Sequence, residues 1–96
     1  MNKEVYIKIR GRVQGIGFRW WTVKKAREIG GISGWVRNVE DGSVEIMMSA
    51  EEDKLDEMLL ACHKGPPLSR VDSVDFVVGR WSSFLPPIEP GIFKRA

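Results

Sequence analysis

The chain has one cysteine and one histidine in 96 residues. A single thiol excludes an internal disulfide, and the two together are too few for a zinc cage. No metal and no other cofactor is expected. No apolar run is long enough to cross a bilayer, and no basic start followed by an apolar stretch marks a secretory leader. A cytoplasmic protein with no membrane partner is the simplest reading. Acids are scarce in the first 39 residues, which hold two of them against nine Lys and Arg. Residues 40–96 reverse the balance, with eleven acids against six basic residues. The N-terminal half should therefore favour a small anion. Within it, Lys24, Lys25 and Arg27 read as a solvated helix face. The remaining composition, 43% hydrophobic and 29% charged, is that of an ordinary globule. Its length suits one domain, residues 1–96, with a modest core.

Hydrophobic periodicity divides the chain into six main segments. Residues 4–10 alternate, with Val5, Ile7 and Ile9 on one face, as a half-buried strand does. Residues 18–29 carry Thr22, Ala26 and Ile29 at helical spacing, and Gly30-Gly31 stops the helix. Residues 32–38 and 43–48 read as strands joined by a turn at Glu40-Asp41-Gly42. Ser49 and Glu52 fit a capping box, with Ser49 as the N-cap. The helix that follows runs to about Lys64, with Leu55, Met58, Leu59 and Cys62 as its apolar stripe. A fourth strand begins near Arg70 and carries Val71, Val74, Phe76 and Val78. Residues 85–91 hold three prolines and read as a loop, and Ile92-Phe93 suggest a short fifth strand. The order β-α-β-β-α-β predicts an α+β, ferredoxin-like sandwich, with two helices on one face of an antiparallel sheet.

The densest chemical signal is Gly11-Arg12-Val13-Gln14-Gly15-Ile16-Gly17-Phe18-Arg19, lying between the first strand and the first helix. Glycines permit φ > 0 and close approach of backbone to a ligand. A loop of N–H groups ending at a helix N-terminus cradles anions. Arg19 adds a planar fork suited to phosphate or carboxylate oxygens. A phosphate-type ligand is the first expectation.

These nine residues resemble the acylphosphatase signature G-x-V-Q-G-V-x-F-R, with Ile16 in place of a valine. Gly34-Trp35-Val36-Arg37-Asn38, followed by Asp41-Gly42-Ser43-Val44-Glu45, resembles the family's second block. The resemblance covers roughly residues 4–78. It implies that Arg19 and the backbone N–H groups of Gln14, Gly15, Ile16, Gly17 and Phe18 bind the substrate phosphate. It also implies that Asn38 positions the attacking water. The implied reaction is metal-free hydrolysis of a small acyl phosphate to a carboxylate and inorganic phosphate. Inorganic phosphate or sulfate should then act as a product-like ligand, and a monomer is expected.

Two departures from the pattern bear on the site. The run from Gly30 to Gly34 is one residue longer than the family's turn, which predicts a looser entry to the strand carrying Asn38. The C-terminal strand is shorter, which leaves open how the sheet edge near the site is closed.

Other readings fare less well. A non-catalytic ferredoxin-like binding or regulatory module is the main alternative, and the presence of both Arg19 and Asn38 weighs against it. An RNA-recognition sheet needs stacked aromatics, whereas the third strand reads Val-Glu-Ile-Met-Met, so no nucleic-acid partner is expected. A dinucleotide fold needs a third glycine after Gly15 and Gly17. Cys62 and His63 are helix neighbours that diverge by about 100°, so Cys62 reads as a buried hydrophobe and His63 as a surface residue. Of Trp20 and Trp21, one should pack inward and one lie at the edge, while Trp35 should fill the core or a sheet edge.

Overall fold

Alternating side chains at the N-terminus form strand β1 (Lys3–Arg12), the axis on which the other elements assemble. The computed structural model describes residues 2–79 and 85–96. Helix α1 (Phe18–Ile29) follows, then β2 (Ser33–Asn38), β3 (Val44–Ala50), helix α2 (Glu52–Lys64), β4 (Arg70–Val78) and β5 (Phe93–Arg95). The strands lie in the order β4-β1-β3-β2-β5. The first four pair antiparallel, and β5 joins β2 in parallel. The fifth strand therefore makes the sheet mixed rather than purely antiparallel.

The core lies between the helices and one face of this sheet. Val5, Ile7 and Ile9 are fully buried, as the alternation predicts. They share one cluster with Val36, Val44, Ile46 and Met48 from the sheet, Phe18 and Ala26 from α1, and Leu55, Met58 and Cys62 from α2. Burial pushes the Cys62 thiol up to about 12, so it stays protonated and packs as an apolar group. His63 is exposed. Trp21 packs edge-on against Phe18, with ring centroids 5.4 Å apart, while Trp20 is largely exposed beneath the Lys24 ammonium.

Two expectations change, and one open question is answered. Ser49 is not an N-cap: Ser49 and Ala50 complete β3 opposite Glu4 and Lys3, and Glu51 caps α2. Extending the ladder and burying Ala50 outweighs one side-chain cap, which contributes about 1 kcal/mol. Glu52 and Asp53 still place negative charge in the first turn, where the helix dipole favours it. The entry to β2 is not loose. Gly34 N–H donates to Ile92 O at 2.8 Å, and Gly91 N–H donates to Ser33 Oγ at 2.8 Å. The edge beyond β2 is closed by β5, whose Phe93 is buried in the core.

Trp35 is buried, but on the other face of the sheet, because it alternates with the core residue Val36. Its indole N–H donates to Pro86 O at 2.9 Å. The Arg37 guanidinium sits over its ring, 5.0 Å from the centroid, and Arg37 Nε donates to Glu45 Oε1 at 2.7 Å. Tyr6 O–H donates a short hydrogen bond to the same carboxylate. Burial, then the hydrogen bond and charge of Glu45, hold the Tyr6 hydroxyl above its ordinary pKa of 10.0. The neutral phenol is therefore favoured by folding. Its contribution is complete below pH 10 and is lost as pH rises beyond it. Glu45→Gln should lower stability at neutral pH by about 1 kcal/mol and flatten the alkaline decline. Melting curves from about pH 7 to about pH 11 test this; an alkaline decline as steep as wild type would assign the shift to burial alone.

Candidate active site

Just before the signature loop, the β1–β4 register shifts between Arg10 and Gly11. The bulge re-aims the end of β1, as bulges beside functional sites do. The chain then turns through Gly15 (φ 74°) and Gly17 (φ 81°, ψ 18°) into α1. Gly17 is the N-cap, in the left-handed region, and the first helical bond runs from Trp21 N–H to Gly17 O at 2.9 Å. A Cβ at Gly15 or Gly17 would meet nothing within 4 Å. Backbone conformation, not lack of space, is therefore what requires glycine there. Among the described residues, no backbone N–H from residue 14 to residue 19 donates within the protein. That is the open end of a helix joined to an open loop, an arrangement that attracts anions.

Gln14 joins this loop to the β2–β3 hairpin. Its Nε2 donates to Val39 O at 2.7 Å and to Ser43 O at 2.8 Å. The hairpin turn is closed by Asp41, which accepts from Ser43 N–H at 2.9 Å and from Ser43 Oγ, and pairs with Lys8 Nζ at 2.9 Å. Those bonds from Ser43, then from Lys8, hold the Asp41 carboxyl below its usual range. Asn38, the last residue of β2, precedes Val39 directly. The tie from Gln14 therefore fixes Asn38 relative to the glycine loop.

A cavity of about 200 Å3 opens between these elements. It is lined by Val13, Gly15, Gly17, Phe18, Arg19, Asn38 and Arg95. It is several times larger than the roughly 30 Å3 that a water occupies in the liquid. Five of the seven residues expected from sequence thus line one space. Gln14 and Ile16 belong to the same loop but do not line the cavity. The Gln14 side chain bridges to the hairpin, and Ile16 packs against the core. Asn38 Oδ1 is buried and accepts no hydrogen bond among the described residues. A buried acceptor left open is rare and marks a place where a ligand or water belongs. Neither Arg19 nor Arg95 makes an ion pair among the described residues. The cavity wall thus combines two guanidiniums, open N–H donors and one carboxamide, a donor set for a charged oxyanion.

Two lining residues were not expected, Val13 and Arg95, and of these Arg95 carries a charge. Its signal was present but weak: in a strand containing Phe93, Arg95 falls on the same face two residues later. A three-residue strand is too short for periodicity to reveal that.

A family model described as Acylphosphatase matches residues 5–82. The chain is 51% identical over 69 residues to the acylphosphatase of Rhizorhabdus wittichii, which covers 72% of this chain and 69% of the relative. It is 41% identical over 91 residues to the acylphosphatase of Acidiphilium cryptum, covering 95% and 93% of the two chains. The crystal structure of acylphosphatase from Bacillus subtilis superposes with a TM-score of 0.85 at 30% identity, covering 100% of this chain and 99% of that one.

The glycine geometry makes a direct prediction. Gly17→Ala should destabilise the fold by about 1 kcal/mol through left-handed strain alone. Gly17→Asn should lose less, because Asn tolerates that region. Thermal melting of the two variants checks the order; equal losses would point to a contact rather than to the φ angle.

Proposed function

Because the chain belongs to the acylphosphatase family and is an enzyme of that class, we propose that Arg19, with the N–H groups of Gln14, Gly15, Ile16, Gly17 and Phe18, holds the phosphate of an acyl phosphate while Asn38 orients the attacking water. The observation that carries this reading is the buried, open Oδ1 of Asn38 on the wall of the cavity that Arg19 lines.

The chemistry needs little else. Phosphoryl transfer runs through a loose transition state with charge spread over the equatorial oxygens, so positioning and electrostatics dominate. Preformed N–H donors and a guanidinium supply that electrostatic part without reorganisation. The Asn38 carboxamide accepts from the water and aims its lone pair at phosphorus, opposite the leaving oxygen. The P–O bond to the acyl group breaks as the water–phosphorus bond forms, and the bonding pair leaves with the carboxylate. The carboxylate is a good leaving group, so no strong general acid is needed. The water proton passes to a phosphate oxygen of the substrate itself, giving dihydrogen phosphate and a carboxylate anion.

Inorganic phosphate and sulfate are the product-like ligands of this cavity. The enzyme works as a single-domain cytoplasmic monomer on small molecules, and engages neither nucleic acid nor membrane. No helix among the described residues is long and apolar enough to cross a membrane. The alternative of a purely binding or regulatory module is disfavoured by Arg19 and Asn38 meeting in one cavity.

Hydrolysis of benzoyl phosphate tests the assignment. Arg19→Ala should reduce kcat/KM by about 10^3-fold or more, and Arg19→Lys should fail nearly as badly, because a point charge does not reproduce the fork. An Arg19→Lys variant with most of its activity would refute bidentate binding. Asn38→Ala should lower kcat by about 10^2-fold while the inhibition constant for phosphate stays near wild type. Equal losses of turnover and phosphate affinity would make Asn38 a phosphate ligand instead. Activity should survive a chelator, since guanidinium and backbone supply the positive charge in this mechanism; strict dependence on added Mg2+ would contradict it.

A further inference from the structure

Taking the cavity as the phosphate site, we propose that Arg95 is a second substrate-binding residue, supplied by the last strand, that holds the phosphate dianion through its charge rather than through a fixed fork. Its backbone is anchored on both sides of the residue. Gly34 N–H donates to Ile92 O at 2.8 Å and Ala96 N–H donates to Val36 O at 2.9 Å. Arg27 Nη2 on α1 also donates to Phe93 O at 3.3 Å. Parallel pairing puts Arg95 opposite Val36, two residues before Asn38. Alternation along β5 does the rest. Phe93 enters the core, Lys94 pairs with Glu89 at 2.8 Å, and Arg95 returns to the face of Phe93, at the end of the sheet where α1 begins.

The electrostatics favour an anion between the two arginines. Arg37 and Lys8 on the sheet are neutralised locally, by Glu45 at 2.7 Å and by Asp41 at 2.9 Å, whereas Arg12 at the end of β1 pairs with no carboxylate among the described residues but does not line the cavity. Arg95 has no carboxylate partner among the described residues and lines a cavity with no acidic wall. An acyl phosphate brings two negative charges, which one guanidinium and neutral N–H groups balance only in part. Arg95 is exposed on a three-residue edge strand, so its long side chain keeps rotamer freedom until the anion arrives. Such a residue contributes a screened point charge. Arg19 is part-buried in the first turn of α1 beside the glycine loop, on a longer and more constrained element than Arg95. The two should therefore differ in their tolerance of lysine.

Steady-state kinetics on the whole chain separate the roles, with benzoyl phosphate as substrate and inorganic phosphate as inhibitor. Arg95→Gln should raise KM and the phosphate inhibition constant by the same factor, about three- to tenfold at low salt, with kcat within about twofold of wild type. The factor should shrink at high salt as the charge is screened. Arg95→Lys should restore both constants, whereas Arg19→Lys should not. Lys94→Gln, one residue away, should change neither. Unchanged KM and phosphate inhibition in Arg95→Gln, beside an inactive Arg19→Ala, would overturn this proposal and leave the phosphate site standing. A loss confined to kcat that lysine fails to rescue would also overturn it. Undiminished phosphate inhibition in Arg19→Ala would instead remove the phosphate site, and this proposal with it.

Discussion

Backbone N–H groups without a protein acceptor are strong, unspent donors, and this fold leaves a row of them, partly open to solvent, at the junction of β1 and α1. Everything around the cavity serves to hold that junction open. The bulge at Arg10/Gly11 turns the strand end, left-handed glycines bend the loop, and Gly17 starts the helix without a side-chain cap. A capping side chain would satisfy one of the donors and reduce what remains for an anion. The loop rests on the core, to which Val13 and Phe18 at its two ends belong.

The second constraint is registration between the two halves of the site. Arg19 rides on α1 and Asn38 on β2, elements separated by a turn of glycines. Gln14 couples them directly, by donating to two carbonyls of the hairpin that follows Asn38. The hairpin is itself stiffened by Asp41, Ser43 and Lys8. Preorganisation of this kind is where electrostatic catalysis gains its rate, since donors already in place need not reorient during the reaction. Acidification weakens the tie at Asp41: its depressed carboxyl stabilises the turn above the ordinary carboxylate range and loses that effect as pH falls.

Much of this was legible from residues alone. Period-two and period-3.6 patterns located β1, α1 and α2, because each has one buried face and is long enough to show it. The glycines and Arg19 pointed to the proposed anion site, because special φ values demand special residues. What stayed hidden depended on tertiary contact. Ser49 looked like a cap because its local pattern is a cap pattern, yet pairing with β1 claimed it for β3. Trp35 gave no sign of which face it would occupy, since its partner Pro86 lies 51 residues away. Gln14 read as one more backbone donor, and its bridging side chain emerged only with the hairpin beside it. Arg95 entered the cavity through a parallel pairing that no local pattern encodes.

The central claim is that the loop and Arg19 form a preformed phosphate site, and an anion titration followed by thermal unfolding tests it most directly. Inorganic phosphate should stabilise the wild-type chain, by about 2.7 kcal/mol at 100 times its dissociation constant, as a ligand selective for the native state does. Arg19→Ala should lose most of that stabilisation at the same phosphate concentration while keeping its fold. An equal shift in wild type and Arg19→Ala would mean that phosphate binds elsewhere, at the basic face of α1, and that the glycine loop is not the site.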